Sequence, residues 1–341
     1  MIDDFLEFQA KTSPNPIGLE IKKAKGLYIW DTSNKKYLDF IAGVSANSLG
    51  HRHPKIIKAI KKQLDSYMHV MVYGEFAQKP AVDLSKKLIQ KLDKNLDVLY
   101  LTNSGTEAIE GALKLAKRVT GRRELVSAKN SYHGSTHGSL SVTGYEKQKE
   151  SFKPLLPGIK FIEFNNLKDL SLITEKTAAV ILETIQGGAG FITPINDYLK
   201  KVKKRCVEVG ALLILDEIQP GFGRTGKLFG YEHYGIIPDI LVMGKGMGGG
   251  LPIGAFCSSK KNMKLLEVNP KLGHITTFGG NPVIAASALA NLKLLYENSI
   301  MESIDSKEKL FREKLKHHLI KKINGKGLML AIIFENSEIV N

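Results

Sequence analysis

The chain has 341 residues, 43% of them hydrophobic and 24% charged, which is the make-up of an ordinary globular protein with room for a large core and more than one domain. Its 49 basic and 34 acidic side chains leave a formal charge of +15, but the excess lies in scattered pairs such as Lys22-Lys23, Lys61-Lys62, Lys86-Lys87 and Lys321-Lys322. No basic run is interleaved with stacking aromatics, so a nucleic-acid partner is not expected. The acidic start, Met1 to Glu7, has no cationic n-region and no apolar run reaches membrane length. Cys206 and Cys257 show no metal-type spacing and read as buried free thiols of a reducing compartment. A cytoplasmic protein without a membrane partner is expected.

Residues 27–31 and 37–41, around the turn Thr32-Ser33-Asn34-Lys35, predict an early hairpin. After Pro54 the apolar spacing of Ile56, Ile57, Ile60 and Leu64 predicts a helix, and a second one follows Pro80 through Val82, Leu84, Leu88 and Leu92. From about residue 97 apolar runs alternate with amphipathic helices. The runs are Val98–Leu101, Leu125–Ala128, Phe161–Phe164, Ala178–Leu182, Leu212–Leu215, Ile240–Met243 and Ile253–Cys257, with helices such as Thr106–Val119 and Asn196–Val209 between them. That alternation predicts an α/β fold with a large, mostly parallel seven-stranded sheet. A helix from Pro282 to Tyr296 leads out of it, and a strand at 327–334 opens a smaller α+β domain. The expected division is 1–50 as an N-terminal segment of the small domain, 51–295 as the large domain, and 296–341 as the start of the C-terminal small domain.

Ligands of open α/β sheets bind beyond the carboxyl ends of the strands. After Val98–Leu101 the turn Asn103-Ser104-Gly105-Thr106-Glu107 opens a helix, where free N–H groups and the helix dipole suit an anion; Ser104 and Glu107 also have capping-box spacing. After Leu125–Ala128 comes Tyr132-His133-Gly134-Ser135-Thr136-His137. Its two histidines are four apart, but Gly134 argues against a helix there and no third ligand is evident, so no metal is expected. An aromatic followed by glycine suits the covering of a planar ring.

Two stretches, Gly221 to Gly226 and Gly244 to Gly249, satisfy G-x-G-x-x-G, yet neither opens an amphipathic helix, and Leu228 stands where a P-loop needs Ser or Thr. The run Met243-Gly244-Lys245-Gly246 instead surrounds a lysine with residues a flat ligand can approach closely. The strand Ala211–Leu215 ends in Asp216-Glu217. An amine and a strand-end carboxylate are the two groups that pyridoxal phosphate chemistry needs, one to bind its aldehyde and one to keep its ring nitrogen protonated.

With these motifs, which run in order from Gly43-Val44-Ser45-Ala46-Asn47 to Gly325-Lys326-Gly327, the chain resembles the class III pyridoxal-phosphate-dependent aminotransferases of fold type I. These include acetylornithine, ornithine and 4-aminobutyrate aminotransferases. The resemblance implies Lys245 as the Schiff-base lysine, Asp216 as partner of the pyridine nitrogen, and Gln219 near the cofactor's 3′ oxygen. It implies Ser104, Gly105 and Thr106 at the phosphate, Tyr132 stacked on the ring, and Thr277 reaching the phosphate of a neighbouring subunit, hence a homodimer with shared sites. The implied reaction moves an ω-amino group to a keto acid such as 2-oxoglutarate in two half-reactions, that is, by ping-pong kinetics.

Three departures bear on substrate. Ser135 stands where the acetylornithine and 4-aminobutyrate branches have a carboxylate-binding arginine. The segment Glu183-Thr184-Ile185-Gln186-Gly187-Gly188 keeps its first glutamate and replaces the second by Gly188. Family members continue through a second arginine before a Pro-Pro-Leu motif, so the C-terminal domain is expected to be incomplete at Asn341. Glu183 and Ser135 remain candidate substrate residues. The variation at Ser135 and Gly188 also fits ω-amino acid:pyruvate or diaminopelargonate-type aminotransferases; a non-catalytic cofactor-binding protein is the reading of another class, against which Lys245, Asp216 and Gln219 together weigh.

Overall fold

The computed structural model describes residues 1–297 and 299–335. A small antiparallel sheet comes first, β1 (Ile21–Lys25), β2 (Tyr28–Asp31) and β3 (Lys36–Leu38). The expected hairpin is β2–β3, and the sequence reading missed β1. Pairing stops at Leu38 because the Asp39 carboxylate turns back to accept from the N–H groups of Ile41 and Ala42 and pairs with His51.

The central sheet contains β4 (Val98–Thr102), β5 (Glu124–Ala128), β6 (Ile159–Ile162), β7 (Thr177–Glu183), β8 (Leu212–Asp216), β9 (Ile240–Gly244) and β10 (Gly254–Ser258), in the order β4-β10-β9-β8-β7-β5-β6. All seven expected strands are present in it. Only β10 runs antiparallel to its neighbours β4 and β9. The other six therefore point their carboxyl ends to one edge. The interior strand β7 is buried at every position, the continuous run expected of a strand covered on both faces.

Alternate side chains enter two cores. Val180, Leu182, Leu213 and Leu215 join one, with helices Lys79–Ile89, Tyr198–Val209 and Pro282–Leu295. Ala179, Ile181 and Ile214 join the other, under helix Gly105–Thr120. That helix lies close on β10 because Gly111 lets the Phe256 ring approach its backbone, where any side chain would collide.

Strand β6 begins and ends two residues before the expected Phe161–Phe164. Beyond Ile162 the Glu163 N–H is taken by Asp169 Oδ2 and the Phe164 ring packs edge-on against Tyr198, both outside the ladder. The helix expected from Asn196 starts at Tyr198, since Asn196 and Asp197 are left-handed at φ 51° and 56°. The strand expected at 327–334 is the second arm of a hairpin, β11 (Ile320–Lys326) and β12 (Met329–Phe334). Residues 336–341 of the expected C-terminal domain lie outside the described residues.

Candidate active site

The strand order sets the site. β9, β8, β7 and β5 are consecutive neighbours, so the residues after them meet at one edge: Lys245 after β9, Asp216 at the end of β8, Glu183 at the end of β7, and Tyr132 and His133 beyond β5. Glu183 and Asp216 are register partners. On the far side β10 brings β4 in, and with it the turn of Ser104, Gly105 and Thr106.

Asp216 is 3% exposed. Its Oδ1 accepts from the Ile218 N–H at 3.0 Å and its Oδ2 lies 2.8 Å from His133 Nδ1. A carboxylate taken out of water needs such partners. His133 is 1% exposed, whereas His137 is an exposed residue opening the short helix His137–Val142. The two histidines face different surroundings, and His133 serves Asp216. Sequence reasoning weighed it only as a metal ligand; a buried strand-end acid in need of a donor was the signal that could have found it.

Lys245 sits in the left-handed region at φ 42°, on the tight return from β9 to β10. Burial lowers its amine below the ordinary lysine range, while the charges of Asp216 and Glu183 hold it up. Glu183 is itself pushed up to about 7 by burial. Its Oε2 accepts from the Tyr132 N–H at 3.1 Å and its Oε1 from the Gly187 N–H at 2.9 Å, so it braces two loops of the site. Glu217, fully buried and also pushed up to about 7 by burial, faces away: it accepts from Thr184 Oγ1 (2.6 Å), Tyr231 N (2.7 Å) and Gly230 N (2.8 Å).

The turn after β4 is capped as expected by Ser104 Oγ, which accepts from the Glu107 N–H. The reciprocal bond differs from a capping box: Glu107 reaches Asn103 N (2.8 Å), not the cap residue. The helix start leaves the N–H groups of Gly105 and Thr106 without an acceptor among the described residues. A Cβ on Gly105 would lie 2.6 Å from Ile218 Cδ1, and one on Gly134, at φ 132°, would strike Thr106 Oγ1. Thr106 Oγ1 is held by Ser139 Oγ (2.7 Å) and Thr136 Oγ1 (2.9 Å).

Tyr132 is 44% exposed, with its hydroxyl 3.3 Å from Ser135 Oγ. Gln219 Nε2 is 3.4 Å from Ser45 Oγ, and the Arg224 Nη2 reaches Ser45 O and Ser48 Oγ, which ties the Gly221–Gly226 turn to the N-terminal segment. Thr277 is the outlier. It is exposed on the segment before helix Pro282–Leu295, with Oγ1 3.5 Å from the Tyr73 hydroxyl.

The donor set fits pyridoxal 5′-phosphate. Two unspent N–H groups at a helix start match its phosphate, a buried carboxylate matches its ring nitrogen, an exposed tyrosine face matches its ring, and an amine with a lowered proton affinity matches its aldehyde.

Comparison with known proteins gives the same direction. The sequence model described as aminotransferase class-III matches residues 8–341. The chain is similar to a LysW-aminoadipate semialdehyde/glutamate semialdehyde transaminase of Sulfurisphaera tokodaii, 41% identical over 320 residues that cover 92% of this chain and 81% of the relative. It is similar to an acetylornithine aminotransferase of Caldanaerobacter subterraneus, 40% identical over 329 residues, covering 93% and 82%. Among solved structures, the ornithine aminotransferase of Toxoplasma gondii, which shows partial occupancy of PLP at its active site, superposes with a TM-score of 0.90 at 31% identity, covering 98% of this chain and 82% of that one. A thermostable omega transaminase mutant from Pseudomonas jessenii reaches 0.92 at 28% identity, covering 100% and 85%.

Proposed function

The chain belongs to the class-III aminotransferase family, and from that premise we propose that it binds pyridoxal 5′-phosphate at Lys245 and moves the ω-amino group of an acetylornithine-, ornithine- or 4-aminobutyrate-type donor to a keto acid such as 2-oxoglutarate. That it is a transaminase of the pyridoxal-phosphate-dependent class follows from the family match. The observation that carries the assignment of residues is the meeting of Lys245 and Asp216 at the ends of the neighbouring strands β9 and β8.

When bound, the cofactor supplies an electron sink for the pair of electrons left as a proton departs from the donor carbon. The protein residues do the rest. The N–H groups of Gly105 and Thr106, with Ser104 beside them, would hold the phosphate, and Tyr132 would cover the ring. Asp216, fixed by His133 and Ile218, would keep the ring nitrogen protonated, and Gln219 would approach the 3′ oxygen. Lys245 would anchor the aldehyde, then act with its freed amine as base and acid for the proton at the donor carbon. One site serves both half-reactions, so donor and acceptor bind in turn.

A homodimer with Thr277 reaching across to the partner's phosphate belongs to this reading. Its support is that Thr277 and Phe278 are exposed beside an apolar groove lined by Tyr73, Phe76, Val82 and Thr276. Residues 51–295 would form the cofactor-binding domain, with 1–50 and 296–341 in the smaller one. A reducing, cytoplasmic setting rests on Cys206 and Cys257, both buried free thiols. No helix among the described residues is long and apolar enough to cross a membrane.

A second reading, an ω-amino acid:pyruvate or diaminopelargonate-type aminotransferase, is favoured by Ser135 and Gly188, neither of which can clamp or pair a charge. Donor and acceptor screening separates the two. Glutamate formed from N-acetylornithine and 2-oxoglutarate supports the first; alanine formed from pyruvate and an ω-amino acid, without glutamate from 2-oxoglutarate, supports the second.

A further inference from the structure

Resting on the aminotransferase reading, we propose that the Tyr145 hydroxyl is a substrate-positioning donor, seated against Gly188, that takes a carbonyl or carboxylate oxygen at the distal end of the amino donor.

The backbone before Tyr145 is tied to the loop that carries Tyr132. Gly144 N donates to Ser131 O at 2.9 Å and Gly144 O accepts from Asn130 N at 3.2 Å. The phenol is delivered against Gly188, where a Cβ would lie 2.7 Å from Tyr145 Oη and 2.8 Å from Cε2. A glycine is needed at 188 for this ring to stand where it does. Gly187, one residue earlier, donates to Glu183 Oε1, and a Cβ there would meet that same oxygen at 3.1 Å and strike Gln219 Oε1. Residues 187–188 are thus a side-chain-free wall between the phenol on one side and Glu183 and Gln219 on the other.

Tyr145 differs from the other hydroxyls of the site. Tyr132 Oη and Ser135 Oγ satisfy one another, whereas Tyr145 Oη has no hydrogen-bond partner among the described residues. Burial, and then the nearby Glu183, raise its proton affinity, so it keeps its proton as a donor. Both Glu183 oxygens are engaged by the N–H groups of Tyr132 and Gly187. Tyr145 is half-buried with its hydroxyl open to solvent, so a ligand oxygen entering the site would take the place of water as its acceptor.

The test uses holoenzyme and two donors of equal chain length, one ending in a carboxylate or acetamide and one a plain alkylamine, with pentanoate as an unreactive competitor. Tyr145→Phe should shift the ratio of kcat/KM between the two donors by roughly tenfold toward the alkylamine and weaken pentanoate inhibition by a similar factor. Gly188→Ala should produce the same shift beside Tyr145 and none in a Tyr145→Ala background, because only the ring makes the added methyl costly. An unchanged donor ratio, unchanged pentanoate inhibition, or equal effects of Gly188→Ala in both backgrounds would overturn the proposal. Wild-type holoenzyme that transfers no amino group from either donor would overturn the aminotransferase reading and the proposal with it.

Discussion

His133 Nδ1 lies 2.8 Å from Asp216 Oδ2, a contact that joins the loop after β5 to the end of β8 across the intervening strand β7. Because both groups are almost wholly buried, removing the imidazole leaves a carboxylate oxygen without its donor. His133→Ala is expected to lower kcat by roughly tenfold or more and to weaken cofactor binding, with His133→Asn recovering part of both if its amide reaches Oδ2. Cofactor titration followed by visible absorbance, alongside steady-state rates, checks it; a variant with wild-type affinity and kcat would show that Asp216 is held without His133.

Gly105→Ala places a methyl 2.6 Å from Ile218 Cδ1 at the mouth of the anion turn. The expected cost is about 1–3 kcal/mol of stability, with an accompanying loss of affinity for the cofactor's phosphate. Titration with pyridoxal and with pyridoxal 5′-phosphate separates the two effects. The phosphate's advantage should shrink in the variant; an equal loss for both ligands would place the phosphate elsewhere.

Glu217 offers a pH test independent of catalysis. Its carboxyl is raised by burial from 4.5 to about 7, so between those values the folded state binds the proton that the unfolded state releases. The resulting stability is present in full below about 4.5 and is lost as pH rises through about 7, on the order of 3 kcal/mol in all. Glu217→Gln should reduce this slope of the urea-denaturation profile and leave the like contribution of Glu183, raised to about 7 in the same window, while lowering stability at acid pH because an amide nitrogen cannot accept from Gly230 N. A variant with the wild-type slope from pH 4.5 to 7 would contradict the assignment.

Phe278 is 53% exposed beside Thr277, and Met68, Phe76 and Val82 nearby are exposed to a similar degree or more. The proposed homodimer would cover this surface. Sedimentation should find wild-type dimers, and Phe278→Glu should shift the population to monomer with loss of amino transfer. Wild-type monomers with full activity would remove Thr277 from the site.

The strands and their order along the chain were legible because short apolar runs alternate with amphipathic helices, and Lys245 and Asp216 were legible because they follow such runs. What the sequence did not show is adjacency. That β7 lies between β5 and β8, and so brings His133 to Asp216, is a property of the sheet order, which local patterning does not encode. The same holds for Tyr145, whose contact with Gly188 joins segments 43 positions apart (188 − 145) and leaves no periodic trace. Strand ends moved where a side chain outcompeted the ladder, as Asp39 and Asp169 do, and a helix start moved where the backbone turns left-handed at Asn196 and Asp197.

If Lys245 carries the cofactor and Asp216 sets its chemistry, both roles register in the visible spectrum of the purified protein with pyridoxal 5′-phosphate. Wild-type protein should hold an absorbance band through gel filtration, and an amino donor should bleach it until a keto acid restores it. Lys245→Ala should lose the stably retained band and the bleaching cycle, and Asp216→Asn should bind cofactor but bleach far more slowly. A Lys245→Ala protein with the wild-type band and cycle would show that Lys245 does not hold the cofactor.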